Sequence, residues 1–174
     1  MNAIRFDAPW DSGLKLATGL VFAVTGSITL LLAWTSLRMS EVSASTIVGL
    51  VPLVFLSMPL LLLWAAWLEA PRAFTLDDAA IRVERRSGPV IIPLSGLRDV
   101  RELEPRIFFR REGGLGGFFG YSGNFHSEAL GRVRLYATRS DCRVLLVTDQ
   151  GPVVLTPGDP ARFVEEVRAR LGPR

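Results

Sequence analysis

The sequence predicts an α+β protein: an N-terminal two-helix transmembrane hairpin, then a β-barrel or sandwich of about seven short strands capped by a C-terminal α-helix. Three observations predict it. Two long, uncharged, apolar runs fall before residue 70. After Pro71 the pattern changes to short β-rich runs separated by turn residues. The chain then closes on one well-bounded amphipathic stretch. A length of 174 residues suits one ordinary domain plus a short anchor, so the expected division is 1–71 for tail and spans and 72–174 for the domain.

Residues 16–37 carry no charge. At about 1.5 Å per residue they make a helix of roughly 33 Å, enough for the ~30 Å hydrocarbon layer. Arg38 and Glu41 end this run, and a second helix is expected over about 46–68, with Pro52 and Pro59 tolerated as they are in membrane helices. The first run exceeds a signal-peptide core and a second span follows directly, so both are expected to persist as spans. Arg5 and Lys15 precede the pair, and Arg72, Arg82, Arg85 and Arg86 follow it, whereas Arg38 stands alone between the spans. The positive-inside rule therefore places the domain on the cytoplasmic side of the cell's inner (plasma) membrane. Trp10, Trp64 and Trp67 fall at one interface and Trp34 near the other. Neither span contains an ionisable residue, which argues against an ion pathway or proton relay. Gly19, Ala23, Gly26 and Ala33 share a face of the first span. Such a stripe permits close packing, expected first against the second span and alternatively against another copy.

Beyond Pro71, 73–76 and 80–85 flank the turn signal Asp77-Asp78, and Ser87-Gly88 makes the next turn before 90–93. Strand-like runs continue at 97–103, 131–137, 143–148 and 152–156, with a turn at Gln150-Gly151. A glycine-rich segment interrupts them. Asp159 is a good N-cap and Pro160 suits the first helical position. Phe163, Val164, Val167 and Leu171 then form one apolar stripe before Gly172-Pro173 stops the helix. Such a one-faced helix must cover the sheet.

The order of strands followed by one helix is similar to a pleckstrin-homology (PH)-like fold. Four stretches resemble the bacterial pleckstrin-homology domain family. They are Ile92-Pro93-Leu94-Ser95 leading to Val100, the glycine-aromatic run 116–123, Leu135-Tyr136-Ala137-Thr138, and 153–157 followed by Asp159-Pro160 and Phe163. The resemblance covers roughly 73–171. It implies a binding or scaffolding module, without enzymatic activity, with one or two spans often placed ahead of the domain.

The residues offer little chemistry. The net charge of +3 has no concentrated basic stripe, which argues against a nucleic-acid partner. Cys142 is the one cysteine and is expected to act as a buried small hydrophobe in a strand. His126 is the one histidine, so no metal cluster and no cofactor are expected. The glycine-rich segment lacks the lysine of a phosphate-binding loop. Ser122 sits in a faint echo of a nucleophile elbow, but Asn124 stands where the motif needs glycine.

The candidate contact residues are therefore Arg110, Arg111, Phe118, Phe119, Tyr121 and Phe125, in or beside this segment. Its aromatics are expected first to pack back on the domain; alternatively they meet the membrane interface or a partner. The run from Arg82 to Arg86 is expected to be a solvated hairpin rather than a phosphoinositide grip. The predicted function is a membrane-tethered module docking a protein or peptide. The alternatives are a self-associating, homo-oligomeric structural protein and a peripheral anionic-lipid sensor.

Overall fold

A computed structural model of the chain describes residues 3–39, 46–104, 107–116 and 119–171, with backbone alone at 33, 36, 37, 39, 46–56 and 114–116. Two helices, α1 (Ser12–Met39) and α2 (Thr46–Glu69), follow a short strand β1 (Ile4–Asp7). Among the described residues, Ser12–Leu32 is long and apolar enough to cross a membrane, and only 11 % of its most apolar stretch is buried. Ser57–Glu69 is apolar but shorter. The face of α1 turned inward runs Leu14, Thr18, Val21, Thr25, Thr29 and Leu32, a helical spacing. The expected small-residue seam against α2 is corrected here: a Cβ placed on Gly19 or Gly26 would meet nothing within 4 Å. Those glycines face outward.

Two sheets follow, not a closed barrel. The first has the order β1-β2-β3-β4, with β2 (Ala73–Leu76), β3 (Ala80–Glu84) and β4 (Val90–Pro93), all antiparallel. The N-terminal tail thus supplies an edge strand: Phe6 stands opposite Phe74. After a single 3-10 turn at Leu94–Gly96 comes the second sheet, in the order β5-β9-β10-β8-β7-β6. Its strands are β5 (Leu97–Leu103), β6 (Arg110–Gly116), β7 (Tyr121–Ser127), β8 (Gly131–Ala137), β9 (Arg143–Thr148) and β10 (Gly151–Leu155). Among the described residues ten strands replace the expected seven or so. The difference lies in β1 and in β6–β7, where the glycine-rich segment forms a hairpin instead of a break. Glycine has low β propensity, so periodicity alone gave no strand signal there.

One connection is unusual. The β9–β10 hairpin turns over Asp149-Gln150, with Gly151 at φ 103°, and β10 then inserts beside β8 in parallel register. Strand β10 is therefore flanked by the two strands that precede it.

The two-residue period of the strands gives the large sheet two apolar faces. One carries Val144, Leu146, Val153, Leu155 and Tyr136 and packs against Phe74, Leu76, Ile81 and Val83 of the small sheet. Helix α3 (Pro160–Leu171) closes this core with Phe163, Val164 and Val167. Asp159 caps it as expected: its Oδ1 accepts from the Arg162 N–H at 3.1 Å. The ring of Phe6 meets Phe163 edge-on at 5.1 Å. The opposite face carries Val133, Leu135, Ala137, Leu145, Val154 and Phe125. Cys142 lies in the loop before β9, half-buried, rather than within a strand. Burial first, then Asp141, holds its thiol above the ordinary value, so it is a poor nucleophile.

Candidate functional site

Three contacts join the helices to the domain. At the start of α1, Asp11 Oδ1 accepts from the Leu14 N–H at 2.6 Å and satisfies one of the orphan donors of the first turn. The other oxygen, Oδ2, accepts from the Ser140 N–H and Oγ at 3.1 and 3.2 Å, tying the cap to the β8–β9 loop. At the end of α2, the β3–β4 turn supplies donors to the last carbonyls. The N–H groups of Arg86 and Ser87 both donate to Leu68 O at 3.1 Å, and Arg86 Nη1 donates to Trp67 O at 3.2 Å. Arg85 pairs with Glu69 and is mostly buried. The run expected to be a solvated hairpin is therefore the C-terminal cap of a helix.

The third contact is the tip of the β6–β7 hairpin. Phe119 is buried against Leu63 and Ala66 of α2 and Ala70 just beyond its end, with Trp10 and Val21 packed alongside. Its ring centroid lies 5.8 Å from Trp10 and 6.0 Å from Phe22, and its N–H donates to Thr18 Oγ1 at 3.3 Å. Phe119 adopts φ 60°, a left-handed conformation that costs a non-glycine residue about 1–2 kcal/mol and persists only when its surroundings hold it. Gly120 follows at φ 147°, where a Cβ would come within 3.0 Å of Ala137 O and 3.3 Å of Pro71 Cδ. Only glycine fits both that backbone angle and that approach.

The second feature is the link between β5 and β6, the two edges of the large sheet. Its residues 107–109 lie over the face opposite α3. Phe109 packs into the core of that face, and Arg143, half-buried on β9, stacks on the Phe109 ring at 5.1 Å while Nη1 donates to Ile107 O at 2.7 Å. Burial pulls the Arg143 guanidinium below its ordinary value. Phe108, between these anchored residues, is 91 % exposed. Cavities of about 590 and 210 Å³ flank it, the first reaching Arg110, His126 and Glu128, the second Tyr121, Leu135 and Arg139.

The sequence-predicted residues do not converge. Phe119 belongs to the helix junction and Phe125 to the second core. Tyr121 is 38 % exposed and meets Phe125 edge-on at 6.3 Å. Arg110 and Arg111 are exposed at the far end of β6, about 20 Å of strand from the tip. Phe118 lies outside the described residues. Ser122 and His126 sit four residues apart on β7, roughly 13 Å along an extended strand, with Ser122 buried. That separation gives no nucleophile–base pair. The cap formed by Arg85 and Arg86 and the link at 107–109 were not foreseen. For the cap, a signal was present: Glu69 and an arginine pair bracket a β-hairpin of the right length to fold back.

Two sheets closed by a C-terminal helix define a PH-like architecture. Residues 72–171 match the family profile described as the bacterial PH domain, and the chain belongs to that family. No curated protein and no solved structure matches the chain. Domains of this class are generally non-catalytic and act by binding.

Proposed function

We propose that this protein is a membrane-tethered PH-like scaffold whose two helices span the bilayer and hold the domain at the cytoplasmic face, where it docks a protein or peptide. The exposed apolar residues of α1 and α2, Leu16, Leu20, Leu30, Leu61 and Trp64 among them, support the tether: water would not tolerate so continuous an apolar surface. The arginines gathered at the domain end support the cytoplasmic side.

The observation that carries docking is Phe108. A ring 91 % exposed between the anchored residues Ile107 and Phe109, with a cavity on each side, is the arrangement of a contact anchor. Site-specific photo-crosslinking in native membranes tests it, with the probe at position 108 of the full chain and a control at Glu165 on the exposed face of α3. The expected result is a discrete adduct from 108 and none from 165. No adduct above control at 108 overturns the docking reading. An adduct of twice the chain's own mass favours self-association instead, a second reading supported by the outward-facing Gly19 and Gly26.

A further inference from the structure

We infer that the groove between α1 and α2 at their domain end binds one anionic phospholipid, with an acyl chain on the aromatic wall and the phosphate against Arg72 and Arg86. This inference rests on the two-span reading and adds a ligand to it. The groove has a volume of about 430 Å³ and is lined by Phe22, Leu60, Leu63, Trp64, Trp67 and Phe119. All but Phe119 come from the charge-free helical runs, and Phe119 is delivered by the hairpin tip. Such a lining suits hydrocarbon.

The charge at the mouth identifies the headgroup. Trp67 is both wall and platform: the Arg86 guanidinium lies 3.8 Å from its ring centroid while Nη1 donates to Trp67 O. The groove is thus continuous with a cation held at the level where the apolar run ends. Arg72 stands close by in the fold: its N–H donates to Glu84 O at 2.8 Å, two residues before Arg86. Burial first, and then the Arg72 charge, hold the Arg86 guanidinium below its ordinary value. Most neighbouring arginines of the small sheet have a carboxylate: Arg85 has Glu69, Arg82 has Asp77 and Arg5 has Glu84. Among the described residues neither Arg72 nor Arg86 has one within 4.0 Å. Two like charges kept adjacent without a counter-ion favour an anion between them. A free phosphate would satisfy the charges but leave the groove empty; a zwitterionic lipid would fill the groove but bring a cation to the arginines. An anionic phospholipid matches both.

The test reconstitutes the full chain in vesicles of phosphatidylcholine containing a fixed fraction of brominated phosphatidylglycerol or, in parallel, brominated phosphatidylcholine. Quenching of tryptophan fluorescence is then recorded. The anionic lipid is expected to quench at a lower mole fraction, with a preference of about fivefold per arginine. Arg72→Gln is expected to reduce that preference by about fivefold and leave quenching by phosphatidylcholine unchanged. Its side chain makes no hydrogen bond or ion pair among the described residues, so folding is spared, and circular dichroism checks this. Equal quenching by both lipids overturns the inference while leaving the spans in place. Loss of the preference in millimolar inorganic phosphate, with quenching otherwise intact, overturns it in favour of a free-phosphate site. No quenching by either lipid, in chain recovered with the vesicles, overturns the two-span reading itself.

Discussion

The two faces of the six-stranded sheet are both apolar, yet they are covered by different means. One face meets a second sheet and helix α3, elements whose backbone groups are satisfied internally and whose side chains interdigitate. Phe74, Phe163, Leu97, Leu146, Val153 and Leu155 are fully buried there. The other face is closed by the β5–β6 link, whose cover depends on Phe109 and on Arg143 reaching Ile107 O. A regular cover gives stability; an irregular one leaves cavities and an exposed Phe108. In a binding module the division is useful, because the loosely covered face can adjust to a partner without disturbing the core.

The comparison breaks first at Phe163. It has no exposed surface, packs on Phe6 and sits at the centre of the α3 contact. Phe163→Ala is expected to cost about 3–5 kcal/mol, a large share of the stability of a small domain. Urea unfolding of the full chain in detergent, followed by near-ultraviolet circular dichroism, reads the loss. A cost below about 1 kcal/mol would mean that α3 is not the principal cover.

Phe109→Ala sharpens the contrast on the other face. Phe109 is only half-buried and touches the smaller core. The expected cost is about 1–2 kcal/mol, from partial loss of apolar burial and of the Arg143 stacking contact. Limited proteolysis should report faster cleavage within the link while α3 stays protected. Equal sensitivity at both places would show that the two faces unfold as one unit.

The same contrast explains what the sequence revealed. Helix α3 was legible to its cap because Asp159, Pro160 and the stripe from Phe163 to Leu171 are local signals. The hairpins over Asp77-Asp78 and Ser87-Gly88 were legible for the same reason, and Gly88 takes a positive φ of 126° in its turn. Strand β1 was not, because Ile4–Asp7 pairs with residues some seventy positions away and carries no turn of its own. Nor was β6, whose glycines hide its strand pattern. The helix junction depends on Asp11 meeting Ser140 and on Phe119 meeting Thr18, contacts across more than a hundred residues. No local rule anticipates them. The link was hidden for a further reason: its role follows from β5 and β6 being opposite edges of one sheet.

The smallest expected effect lies at the rim of the loosely covered face, where Arg139 lines a cavity beside Phe108. Arg139 holds Asp141 in a two-pronged contact, Nε to Oδ1 at 2.9 Å and Nη2 to Oδ2 at 2.7 Å, and the Cys142 N–H adds a third donor to Oδ1 at 3.0 Å. Arg139 chiefly, with backbone donors assisting against desolvation, lowers the Asp141 carboxyl from 3.8 to about 2. A folded value below the unfolded one contributes stability that is full above the unfolded value and is lost as pH falls through the folded one. The window is therefore from about pH 4 down to about pH 2. Asp141 is more than half exposed, so solvent and salt screen the contribution and keep it slight. Carboxylate carbon NMR reads it directly. Arg139→Gln should raise the Asp141 midpoint toward the ordinary carboxylate range, and the stability difference between wild type and Asp141→Asn should vanish at the bottom of that window. A midpoint unmoved by Arg139→Gln would assign the shift to the backbone donors of the β8–β9 loop, and Arg139 would then be available at the rim of the open face.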